Sequence, residues 1–103
     1  MATRGRSITL TTSYQTAFDA STDGGPAEFG IVSAIGNDVT AQVTRQVSPG
    51  VTATDEYLTP SGYETPLLSE KTGGAYHPVI TKIEVKAASA AGTAYVNVGP
   101  RTN

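Results

Sequence analysis

From Asp38 to Val47 the chain reads DVTAQVTRQV, with Val39, Ala41 and Val43 alternating with Thr40, Gln42 and Thr44. A period of two sends successive side chains to opposite faces of an extended backbone, so the pattern belongs to a strand with one dry face and one wet face. The alternation recurs. In SITLTT, Ile8, Leu10 and Thr12 fall together, and in AEFGIVSAI, Phe29, Ile31 and Ile35 share a face with small or polar residues between them. VITKIEVKA sets Val79, Thr81, Ile83, Val85 and Ala87 against Ile80, Lys82, Glu84 and Lys86. TAYVNV sets Ala94, Val96 and Val98 against Thr93, Tyr95 and Asn97, and VTATDEY (51–57) reads as one further strand. No stretch carries the i, i+3, i+4, i+7 stripe of an amphipathic helix. The abundant Thr and Val, branched at Cβ, favour the pleated conformation over the helix.

The punctuation agrees. Gly36-Asn37-Asp38 reads as a tight turn between two strands, with Gly and Asn able to adopt positive φ. Ser48-Pro49-Gly50 and Pro60-Ser61-Gly62 place Pro early in a turn with Gly close behind. AASAAGT (87–93) reads as a small-residue loop closing the last two strands into a hairpin. The expected fold is all-β: an antiparallel β-sandwich or small jelly-roll-like barrel of about six to eight short strands. One domain is expected over residues 7–100, with a flexible N-terminal arm at 1–6 and a short C-terminal tail at 101–103.

Core material is scarce: five Ile, four Leu, nine Val and two Phe make 20 of 103 residues, and Trp is absent. That lies near the ~20% below which chains stay disordered, but a net charge of −2 is too small to keep this one unfolded. A folded monomer of modest stability is expected, with copies of itself or a larger surface supplying further burial. The mild acidity, pI 5.2, argues against nucleic acid or an anionic membrane as partner. Without cysteine, neither disulfides nor thiolate metal sites hold the fold. No apolar run is long enough to span a membrane, and MATRGRSITL lacks the apolar segment of a secretory signal, so folding in a cytoplasm is expected.

Reactive constellations are missing. Asp19, Ser21, Asp23 and Gly24 have the oxygen spacing of a calcium loop, but its twelfth position, where a bidentate Glu belongs, is Gly30, and its eighth is Pro26. A polar Asx turn is the better reading. His77, the sole histidine, precedes Pro78, which holds it extended at a strand entrance, and no Gly-x-Ser-x-Gly elbow accompanies it. Asp55 and Glu56 are adjacent and point to opposite faces of a strand, so they form no acid–base pair. No enzyme activity, cofactor or metal is expected. Two groups remain as candidate partner-binding residues. Arg4 and Arg6 are the only local basic cluster, either a solvated arm or one that reaches onto a partner. Tyr57, Tyr63 and Tyr76 lie in or beside loops, either covering the sandwich ends or forming an interface patch.

The segment HPVITKIEVKAASAAGTAYVNVGP (77–100) resembles the closing hairpin of small β-sandwich structural proteins from tailed-bacteriophage virions. GIVSAIGNDVTAQV (30–43) resembles their strand-turn-strand unit built on a Gly-Asn-Asp turn. The resemblance covers about half the chain, is one of texture rather than of a diagnostic motif, and transfers no functional residue. It implies a non-enzymatic decoration (cement) protein, located in the virion, that binds the major capsid protein or another virion protein as a homo-oligomer, with a trimer favoured. A head-tail connector, a tail accessory protein and a carbohydrate-binding sandwich module are the alternative readings.

Overall fold

The structure, a computed structural model, describes residues 4–23, 25–68, 79–88 and 92–100. Among them are eight strands and no helix: β1 (Arg4–Thr9), β2 (Gln15–Asp19), β3 (Ala27–Ile35), β4 (Val39–Ser48), β5 (Val51–Thr59), β6 (Glu64–Leu68), β7 (Val79–Ala87) and β8 (Thr93–Pro100). Every pairing is antiparallel, as the alternating sequence requires.

All eight belong to one hydrogen-bonded sheet that folds over on itself. One half runs β1-β8-β3-β6 and the other β2-β7-β4-β5; a single register pair, Ala27 opposite Ile80, joins them. The two halves stack as a sandwich whose strand order is that of a jelly roll. The β4–β5 connection alone is a hairpin within one half. Ser48 lies opposite Val51, Pro49 and Gly50 form the turn with Gly50 at φ 74°, and a bulge at Val47 absorbs the mismatch with the strand twist. Every other pair of consecutive strands lies in opposite halves.

That topology corrects the expected closing hairpin. β7 pairs with β2 and β4, whereas β8 pairs with β1 and β3, so the loop between them bridges the halves. The Gly36-Asn37-Asp38 turn likewise carries the chain from one half to the other, with Gly36 at φ 84°. The same turn residues serve both purposes because they fix local dihedrals and not the neighbour that the next strand meets. The arm expected at residues 1–6 is also corrected from Arg4 onward. Arg4, Gly5 and Arg6 lie opposite Val98, Asn97 and Val96. Ile8 packs against the core and Leu10 is buried in it, which draws the preceding residues into register and covers the open edge of β8.

The core follows the alternation. Val39, Ala41 and Val43 of β4, Ile83, Val85 and Ala87 of β7, and Ala94, Val96 and Val98 of β8 all point between the halves. Bulges at Ala17 and Thr81 shift the phase, so that Ala17 and Phe18 are both buried, and Ile80 joins Ile83 in the core. Six of the seventeen core members are alanines, so the halves approach closely. At Gly30 a Cβ would lie 3.2 Å from Val98 Cγ1 and 3.5 Å from Ile83 Cδ1. The interior there admits little beyond backbone.

Candidate docking surface

The close approach at Gly30 decides how β3 faces. The expectation that Phe29, Ile31 and Ile35 form its dry face is reversed: Val32 and Ala34 point inward, and the large residues point out. A bulge at Glu28 sets this phase. Small side chains win the interior because the gap cannot hold a phenyl ring or a second row of isoleucines. Phe29 is therefore 38% exposed and Ile35 55%.

These residues sit on the outer face of β1-β8-β3-β6 with further apolar neighbours. Tyr95, 42% exposed, lies opposite Ser33, and the exposed Pro66 lies opposite Ile31. Phe29 lays its ring over Gly99, directly across the ladder, and Tyr95 lays its phenol over Gly5. Glycine, with no side chain, leaves the space that each ring occupies. Tyr63, 58% exposed, borders it beside Ile35. Its carbonyl accepts from Ala34 N–H at 3.1 Å, and its own N–H donates to the Pro60 carbonyl at 3.0 Å.

The outer face of β2-β7-β4-β5 is of the opposite character. Thr40, Gln42, Thr44 and Gln46 of β4 stand between Lys82, Glu84 and Lys86 of β7 and Thr52, Thr54 and Glu56 of β5. Leu58, opposite Thr40, is its large apolar exception. Tyr14 lies across this face: its hydroxyl donates to Glu56 Oε2 at 2.7 Å, and Lys86 Nζ stands 4.7 Å from its ring centre. Partial burial, then the Glu56 hydrogen bond and the charges of Glu56 and Glu84, push this hydroxyl up to about 12. The folded protein thus holds the proton more tightly than the unfolded chain, where the value is 10.0. The resulting stabilisation is whole below that value and is lost as pH rises through the folded one. In an absorbance titration of tyrosinate, a late-ionising component is expected, and Tyr14→Phe should reduce it by one tyrosine. A late component unchanged by the substitution would refute the assignment.

The residues singled out from sequence are dispersed. Arg4 lies in β1, and Arg6 faces inward at the rim, with Nη2 3.2 Å from Asp23 Oδ1. Tyr57 is turned toward the interior side of β5, where its hydroxyl accepts from Arg45 Nη2 at 2.9 Å. Tyr76 and His77 lie outside the described residues. Among the described candidates, Tyr63 stands beside the apolar face. The polar loop is built as an Asx turn: Asp19 Oδ1 accepts from the Ser21 N–H at 3.0 Å and the Ser21 hydroxyl at 2.7 Å, and Asp23 Oδ2 accepts from Asp19 N–H at 2.9 Å. The Ser21 hydroxyl, then its N–H, hold the Asp19 carboxyl below the usual carboxylate range. Among the described residues, no three His, Cys, Asp or Glu side chains converge as a metal site.

Arg45 was not among the sequence candidates. It follows Val43 on the inward phase of β4 and is 4% exposed. Its Nη1 lies 3.1 Å from Asp55 Oδ2, and its guanidinium stands 5.6 Å from the centre of the Tyr57 ring. Both partners are on β5 one and two pleats from its opposite residue, Ala53. The signal was present in the phase of residues 39, 41, 43 and 45 together with the Pro49-Gly50 hairpin, which brings Asp55 and Tyr57 to that side.

No protein-family model, curated protein or solved structure matches this chain.

Proposed function

We propose that this chain is a non-enzymatic structural protein of a tailed-phage virion. It docks on the major capsid protein, or another virion protein, through the outer face of β1-β8-β3-β6. The observation that carries the reading is the contrast between the two outer faces: Phe29, Ile35, Tyr95 and Tyr63 are exposed on or beside one, and the other is mostly Thr, Gln, Lys and Glu. Contiguous exposed apolar residues mark surfaces meant to be covered. Flat aromatic rings suit that purpose, since they lose little conformational freedom on contact. Jelly-roll sandwiches occur among viral capsid domains, a likeness of fold that lends support by analogy. A homo-oligomer, with a trimer favoured, gives several such faces to one lattice, and repeated weak contacts then act together. The expected closing hairpin is absent from the fold, so the reading rests on the surface and not on that part of the resemblance.

The test mixes purified protein with undecorated phage heads and measures co-sedimentation and resistance of the heads to heat. Wild type is expected to bind and to protect. Ile35→Glu, at an exposed site, is expected to keep the fold and weaken binding at least tenfold, about 1.4 kcal/mol. Thr52→Glu, on the polar half, should bind as wild type. Absence of binding by wild type would remove the capsid reading, and equal binding by Ile35→Glu would remove this face from it.

A further inference from the structure

The two rims of the sandwich are closed differently. Where β5 meets β6, the hydroxyls of Thr59 and Thr65 join at 2.6 Å, and Thr59 is fully buried. Where β1 meets β2, a cavity of about 140 Å³ opens between the halves. Ala17 and Phe18 of β2 wall one side, and Val96 and Val98 of β8 wall the other, with the Gly5 backbone between. The bulge at Ala17 creates the space: it turns two consecutive residues inward, and the first is too small to fill its share. Arg6 and Asp23 also line the cavity, bonded to each other at 3.2 Å, with side chains 47% and 20% exposed.

We infer that this cavity is a binding site for a small neutral apolar molecule of about the size of a benzene ring. A dry, hydrocarbon-lined cavity of about 150 Å³ accommodates benzene or xenon, so the volume here suits one six-membered ring. The class is set by the walls and the mouth. Phe18, Val96 and Val98 offer dispersion contacts and no hydrogen bond from their side chains. A carboxylate at the mouth would meet Asp23, and a cation would meet Arg6, so a charged ligand loses at one partner what it gains at the other. Entry needs no strand to move. An ion pair at this degree of exposure holds weakly, so Arg6 can swing outward and close again behind the ligand. The site is separate from the apolar outer face and stands or falls independently of capsid docking.

The test follows methyl resonances of Ala17, Val96 and Val98 by NMR while benzene is added to the full chain. Saturable shifts confined to these methyls are expected, with loss of the saturable shifts in Ala17→Leu, whose larger side chain fills the space. Arg6→Ala should retain binding and exchange benzene faster. Folding of each variant is read from its own methyl spectrum; if Ala17→Leu does not fold, Val98→Ile serves as the filled variant and should weaken binding at least tenfold. Absence of saturable shifts in wild type, or unchanged shifts in a folded filled variant, would overturn the assignment.

Discussion

Val96→Asp is expected to leave no folded protein, whereas Asn97→Asp, one residue along, is expected to melt with the parent. Val96 is 2% exposed between the halves, on a strand flanked by β1 and β3. Removing it forfeits about 2 kcal/mol of side-chain burial. The carboxylate adds the larger cost, since it enters an interior of valine and alanine, and Arg6, the cation opposite it on β1, is already bonded to Asp23. Several kcal/mol against a domain stability of about 5–15 kcal/mol is enough to abolish the native state of a chain with this little core. Asn97 faces outward on the same strand, where a carboxylate stays in water. Circular dichroism melts of the two variants check this, and comparable damage from both would contradict the facing of β8.

The second large effect is expected at Arg45. Arg45→Ala should cost about 3 kcal/mol, because it removes a buried stem and leaves a hole beside Tyr57. Arg45→Met should recover most of that loss, ending within about 1 kcal/mol of the parent, since a well-packed apolar side chain often replaces a buried ion at little net cost. Asp55 is 62% exposed at its side chain and can return to water when its cation is gone. Arg45→Lys keeps the charge but loses the fork that reaches Asp55 and Tyr57 together, so it should fall between the two. Urea unfolding of the three variants separates volume from charge. If Met proves as damaging as Ala, the charged hydrogen bonds and not the packing hold this end of the sandwich.

The contrast between Val96 and Arg45 marks how far period two can be read. In β8 the alternation has one apolar face, so the strand and its facing are both legible. In β3 both faces are apolar: Phe29, Ile31 and Ile35 stand against Val32 and Ala34. Hydrophobicity alone prefers the larger set inside, and the structure places the smaller set there. The deciding quantity is the spacing between the halves, which depends on residues as distant as Ile83 and Val98. Strand existence is therefore a local property, and facing is local only when one face is polar. Connectivity was the least legible part. Gly36-Asn37-Asp38 and residues 88–92 carry ordinary turn chemistry, and nothing in it distinguishes a hairpin from a hop between halves. The apolar outer face was hidden for the same reason as the facing of β3, and of the tyrosines chosen for their loop positions, Tyr63 lies beside it.

The position of β8 has a consequence for synthesis on the ribosome. Residues 93–100 form an inner strand of their half, held between β1 and β3, with partners up to ninety-four positions earlier, as at Arg4 and Val98. Until Pro100 clears the exit tunnel, β1 has no ladder partner and β3 presents a bare edge to every neighbouring nascent chain. At about 5–20 residues per second that exposure is brief. Closure of the β1-β8-β3-β6 half therefore waits for nearly the whole described sequence, and β4–β5 is the one pair of consecutive strands that can zip as a hairpin beforehand.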